Sequence, residues 1–200
     1  MKRFLVVMVA ALAWIACVLP ISAIAQQALV ITALAERRVA ELPTGLLYWR
    51  IENFASLAQA QAAANMFALV AEAEGKVWLF TLGPAGGASA GGVKVAEVGP
   101  IPRVTATQYL LRINEANGPS GSTTPVHSHP GNEAYLVLAG EQSIRGPDGV
   151  MRIKAGQSEA GHGAGMPMQV SSSGSMDLRA LVMFVVDATQ PFSSPAKLPE

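Results

Sequence analysis

Apolar residues recur along this chain at every second position or in short unbroken runs, and seldom at helical spacing. Leu46 to Glu52, Phe67 to Ala73, Lys76 to Leu82 and Val93 to Val98 have the aromatic and β-branched content of strands. Glu74-Gly75 joins the second and third of these as a hairpin. Tyr109, Leu111 and Ile113 alternate with Leu110, Arg112 and Asn114, which predicts a half-buried strand. Further on, Glu133, Tyr135, Val137 and Ala139 fall on one face of a strand and Ala134, Leu136 and Leu138 on the other. Both faces are apolar apart from Glu133, so this strand should be covered on both sides. Val150 to Lys154 lies between the turns Gly146-Pro147-Asp148-Gly149 and Ala155-Gly156, and Leu178 to Val186 is a long apolar strand after the loop from Ser171 to Ser175.

Helical signals are confined to two places. From Gln26 to Leu42 the pattern is ambiguous between an extended arm and a short helix through Ala33-Leu34-Ala35-Glu36-Arg37-Arg38, and the helix is the reading adopted. Past the turn Pro43-Thr44-Gly45 and the first strand, Ser56 can cap an Ala-rich helix from Leu57 to about Asn65. The glycine-rich run from Gly83 to Gly92 is not followed by Gly-Lys-Ser/Thr and opens no helix, so it reads as a linker and not a phosphate cradle. Many short strands between Gly and Pro turns predict an all-β fold, an antiparallel sandwich or barrel.

The N-terminus changes the picture of the remaining hydrophobicity. Lys2 and Arg3 precede an uncharged apolar run from Phe4 to about Pro20, followed by Ala23-Ile24-Ala25. This is the layout of a secretory signal peptide cut before Gln26, preferred over an uncleaved anchor and over lipid attachment at Cys17. The protein is therefore expected to be exported, periplasmic or secreted, with no membrane attachment after cleavage. Loss of Lys2 and Arg3 takes the 14 basic residues to 12 against 14 acidic ones, and loss of Cys17 removes the single cysteine. Disulfides, thiolate nucleophiles and zinc-cysteine or iron-sulfur centres are then excluded. A balanced charge gives no reason to expect nucleic acid as a partner.

Candidate chemistry concentrates between Gly121 and Gly140. His127 and His129 are two apart, so on an extended strand their side chains leave from one face. Pro130-Gly131-Asn132 is turn chemistry that can start a second strand and return Glu133 beside the imidazoles. Two neutral imidazoles and one carboxylate on one side of a divalent cation (Fe, Mn, Ni, Zn or Cu) leave coordination positions open.

The full spacing, Gly121, five residues, His127-x-His129, three residues, Glu133, six residues, Gly140, resembles the first signature motif of the cupin family. The resemblance implies a cupin-like antiparallel jelly-roll β-barrel, preceded by an N-terminal extension with one or two short helices. The second motif is altered: Gly156 is present, Gly163 replaces a proline, Met168 stands at the position of a ligand histidine and Ser172 at that of an asparagine. Met168 reads as an apolar gap-filler, and His162 is the candidate substitute for the fourth metal ligand.

These readings divide the chain into residues 1–25 as signal peptide, 26–103 as extension, 104–190 as cupin domain and 191–200 as tail. The resemblance implies one divalent metal per chain on His127, His129, Glu133 and His162, a small organic ligand or substrate, and a homodimer. It leaves two functions open: a metal-dependent enzyme such as a dioxygenase, decarboxylase or isomerase, or a non-catalytic small-molecule-binding or structural module. Glu141, Arg145 and Glu159 would add acid-base groups only if their strands aim them inward.

Overall fold

Strand β1, Val30–Val39, covers the segment that local propensity assigns to a helix. Its Ala, Leu, Glu and Arg residues favour helix by only a few tenths of a kcal/mol each, roughly. Pairing along a neighbouring strand satisfies a row of backbone N–H and C=O groups that would otherwise form an open edge. The computed structural model describes residues 27–199; residues 1–25, read from the sequence as a signal peptide, and Cys17 with them, lie outside the described residues.

The rest of the N-terminal half follows the hydrophobic pattern closely. Strand β2 spans Leu47–Phe54, and helix α1, Leu57–Ala63, starts where Ser56 accepts a hydrogen bond from the Gln59 N–H at 3.3 Å. β3 (Ala68–Ala73) and β4 (Lys76–Gly83) form the expected hairpin, with Glu74 and Gly75 both at positive φ in the turn. After the glycine-rich loop comes β5, Val93–Ile101. That loop is fastened and not free: buried Glu52 accepts from the Ser89 N–H at 2.8 Å, the Ser89 hydroxyl at 2.7 Å and Arg50 Nε at 3.0 Å. Burial pushes the Glu52 carboxyl up, but Ser89 and Arg50 outweigh it and hold the group below its ordinary value.

The C-terminal half runs β6 (Tyr109–Gly118), β7 (His127–Ser128), β8 (Gly131–Ala139), β9 (Glu141–Gly146), β10 (Gly149–Lys154), β11 (Ser158–Ala160), β12 (Gln169–Ser172), β13 (Leu178–Asp187) and β14 (Ser194–Pro195). A five-stranded sheet, β1-β6-β13-β8-β11, faces a three-stranded sheet, β10-β9-β12, with the pair β14-β7 at one end. All named pairings are antiparallel, as in a jelly roll.

Both faces of the central strands β6, β13 and β8 are buried along most of their length. The large sheet's inner face contributes Tyr135, Val137, Val182, Phe184 and Val186 to a core shared with Ile144, Ile153 and Val170 of the small sheet. Its outer face, including Leu111, Ile113, Leu136, Leu181 and Met183, packs on Trp49, Ile51, Trp78 and Phe80 of a separate four-stranded sheet, β3-β4-β2-β5. The two-faced apolar pattern of β8 follows from this arrangement, one face serving each core. Each large apolar side chain so buried contributes on the order of 1.5–3 kcal/mol before entropy is counted.

Candidate functional site

The register of the large sheet sets the inner wall of the barrel in rows. Arg112, Phe184 and Glu133 pair across β6, β13 and β8, and Asn114, Val182 and Tyr135 form the next row. Directly paired residues share a face, so both rows point into the barrel. The chain reaches Glu133 through a direction change at His129-Pro130; Gly131 and Asn132 already belong to β8, so the turn is shorter than the sequence reading proposed. Gly131 is needed there because any Cβ would run into the carbonyl of Val185 and the backbone of Val186.

His127 sits in β7, held to Met168 by hydrogen bonds from the His127 N–H to the Met168 carbonyl at 2.9 Å and from the Met168 N–H to the His127 carbonyl at 2.8 Å. Its ring meets that of His129 edge-on, with centroids 5.0 Å apart. The Nδ1 of His127 lies 2.9 Å from the Pro125 carbonyl, and the Nδ1 of His129 lies 2.6 Å from the Phe192 carbonyl. A carbonyl can only accept, so in the neutral ring each Nδ1 carries the proton and each Nε2 keeps a free lone pair.

These residues border a cavity of about 420 Å³. Val126, Val170, Val182, Phe184 and Phe192 give it apolar walls; Asn114, Thr124, Tyr135 and Gln142 supply polar groups, and among the described residues no Lys or Arg lines it. Burial pushes His129 down to about 4, the Phe192 carbonyl working the other way and the charges of His127 and Arg112 adding to the fall. Burial likewise pushes Glu133 up to about 8, with the Tyr135 phenol pulling weakly downward. Near neutral pH the metal-free pocket therefore holds a neutral imidazole and a largely protonated carboxyl. Oε1 of Glu133 is buried without a hydrogen-bond partner among the described residues.

The structure brings together three of the four expected ligands: His127, His129 and Glu133 line the same cavity. His162 does not join them. It lies against Gly146 of β9, where a Cβ added to the glycine would sit 3.2 Å from His162 Nε2, and it is not among the lining residues. Met168 is 1% exposed in the barrel core, with its sulfur accepting from the Tyr135 hydroxyl at 3.8 Å, the position of a gap-filler. Glu141 turns outward to Arg152 and Ser173, and Arg145 and Glu159 are exposed, so none adds an acid or base to the cavity.

Three contributors escaped the sequence reading. Phe192, assigned to the tail, closes on His129 with ring centroids 4.7 Å apart. Arg112 stands over the Phe192 ring at 4.3 Å. Gln142 lines the cavity at 0% exposure. The alternation of β9, with Gln142 in phase with apolar Ile144, was the available signal for the last of these.

A divalent ion tests the donor set directly. The tethered imidazoles and the orphaned carboxyl oxygen are suitable in chemistry. The spacing does not fit: among the described residues, no three His, Cys, Asp or Glu side chains are gathered closely enough to hold an ion.

The architecture and the first motif describe a cupin-like double-stranded β-helix with an added N-terminal sheet. No family model matches the chain, and no curated protein matches it. Solved structures similar to part of it include a conserved protein of unknown function from Streptococcus pyogenes (24% identity, TM-score 0.35), covering 38% of this chain and 64% of that one. A cupin superfamily protein from Desulfitobacterium hafniense (18% identity, TM-score 0.35) covers 38% of this chain and 68% of that one. A DMSP lyase from Ruegeria pomeroyi (25% identity, TM-score 0.38) covers 43% of each. The matched part spans less than two thirds of the first of these proteins. Likenesses this partial leave the chain's own topology and motif to define its class.

Proposed function

We propose that this is an exported cupin-like protein whose barrel binds a small, mostly apolar organic molecule. The observation that carries the reading is the cavity of about 420 Å³, apolar in its walls and with a few convergent polar groups, at the small end of the range that holds organic ligands. Among the described residues Glu133 is the single carboxyl lining the cavity, so no pair of carboxyl groups is assembled there for acid-base work. Thermal melts of the purified chain against a panel of small aromatic, ketone and amide compounds test the reading. Val182→Phe, which fills the cavity from its wall, should abolish any shift; shifts that survive it would move the ligand elsewhere.

Metal loading is a second reading, favoured by the two Nδ1 tethers that leave both Nε2 atoms bare. The three side chains do not stand close enough for an ion as they are placed here; were they to draw together, His127, His129 and Glu133 would hold it and the ion would supply Lewis-acid polarisation of a ligand oxygen. Elemental analysis after repletion with Fe, Mn, Ni, Zn or Cu decides it, and oxygen consumption with small phenols, diketones and organic acids separates an enzyme from a binder. Export rests on residues 1–25, and N-terminal sequencing of the extracytoplasmic protein should find Gln26 first. A homodimer rests on the family resemblance and is checked by sedimentation.

A further inference from the structure

One fully buried polar group lining the cavity has no partner among the described residues. Gln142 is 0% exposed, and both its Nε2 and its Oε1 lack a hydrogen-bond partner. Directly opposite it on the β9-β12 ladder stands Ser172, also 0% exposed, with an unpartnered hydroxyl. The two share the inner face. Ile144 and Val170, in phase with them, belong to the barrel core, whereas Ser143 turns away to meet the hydroxyl of Ser173 at 2.6 Å.

A carboxamide buried with neither end paired is costly, and a site that needed only packing would be better served by Leu or Met of similar volume. We propose that the part of the cavity wall at Gln142 is a recognition site for an uncharged carboxamide or lactam, with Gln142 as the residue that selects it. This rests on the reading that the cavity binds a small organic molecule, and it names the class.

Three features of Gln142 and its surroundings lead to that class. Gln142 offers one acceptor and one donor side by side, and a carboxamide or lactam presents the complementary pair head to head. Ser172, its cross-strand neighbour, has a hydroxyl that can donate or accept according to the ligand. Among the described residues no Lys or Arg lines the cavity, and the nearby Arg112 is already engaged by Asn114, Glu36 and the Phe192 ring, so a carboxylate or phosphate would enter with little free counter-charge and at the cost of its own desolvation. The apolar or aromatic remainder of the ligand lies along Val170, Val182, Phe184 and Phe192.

Calorimetric titration of the full chain with benzamide, benzoate, toluene and N,N-dimethylbenzamide tests the proposal. Benzamide should bind about tenfold more tightly than toluene, the worth of one or two net hydrogen bonds, and benzoate should not bind. N,N-dimethylbenzamide, which keeps the carbonyl acceptor but lacks the N–H donors, should bind more weakly than benzamide. In Gln142→Leu the benzamide preference should vanish while toluene binding persists; should that variant fail to fold, the dimethyl comparison on the wild type decides alone. Equal binding of benzamide and toluene, or a preference that survives Gln142→Leu, overturns the amide site and leaves the cavity reading standing. Failure of every probe on the folded wild type overturns both.

Discussion

The Phe192 carbonyl accepts the Nδ1 proton of His129 across 63 residues of chain, and the Phe192 ring covers the same imidazole. The covering ring and the apolar pocket around it are the source of the desolvation that holds His129 down at about 4. Phe192→Ala keeps the carbonyl and removes the cover. The His129 titration followed by NMR should move upward toward the ordinary 6.5. A midpoint still near 4 would assign the depression to the barrel wall alone.

The same pocket predicts an uneven pH-stability profile for the metal-free protein. Glu133 is raised from an ordinary 4.5 to about 8, so between those values the folded state holds a proton that the unfolded chain has lost, and stability falls as pH rises. His129 is lowered from 6.5 to about 4, so between those values the unfolded chain holds the extra proton, and stability falls as pH falls. From about pH 4.5 to 6.5 the two slopes oppose and cancel. Stability should therefore be flat there and drop by ~2 kcal/mol between pH 6.5 and 8, at ~1.4 kcal/mol per pH unit. Urea midpoints across pH measure it, and Glu133→Gln should remove the alkaline decline. An unchanged decline in that variant would assign it to another group.

Gly131→Ala should be severely destabilising. The added methyl meets backbone atoms of Val185 and Val186, which cannot rotate away as a side chain could. We expect a loss of about 3 kcal/mol, at the upper end for overpacking, measured by urea denaturation. A loss under 0.5 kcal/mol, roughly the noise of surface substitutions, would mean that β8 and β13 separate easily at this point.

Met168 separates packing from ligation. Met168→Ala should cost ~2–4 kcal/mol of stability, as expected for a fully buried methionine, without altering metal uptake. Met168→His places an imidazole beside His127 and should raise divalent-metal retention relative to wild type, measured by elemental analysis after dialysis. Metal that is lost from Met168→Ala, while the variant remains folded, would make the thioether a ligand.

How far the sequence could be read depended on the range of the interactions involved. The β3-β4 hairpin and the Ser56 cap are local, and residues within a few positions specify them. The His127, His129 and Glu133 group was legible because its members sit within seven positions of one another. β1 was not legible as a strand: Ala33–Arg38 favours helix locally, and the β6 edge that overrides this preference lies more than seventy positions away along the chain. Phe192 joins the site through its backbone carbonyl, a group every residue has, so side-chain chemistry gave no sign of it. His162, read as the candidate fourth ligand, packs on Gly146 and is not among the residues lining the cavity, a placement that spacing along the chain cannot give.

Strand β13 has one backbone and two unrelated clients. Val182 and Phe184 face the cavity, while Leu181, Met183 and Val185 face the N-terminal sheet. Side chains on opposite faces of a strand do not touch, so substitutions at 182 and 184 can be combined with substitutions at 181 and 183 with nearly additive effects, provided neither set shifts the backbone. Ligand preference can then drift during evolution without loosening the attachment of the N-terminal sheet, and that sheet can be remodelled without retuning the pocket. Gly131, pressed against the β13 backbone itself, belongs to neither face and has no such freedom.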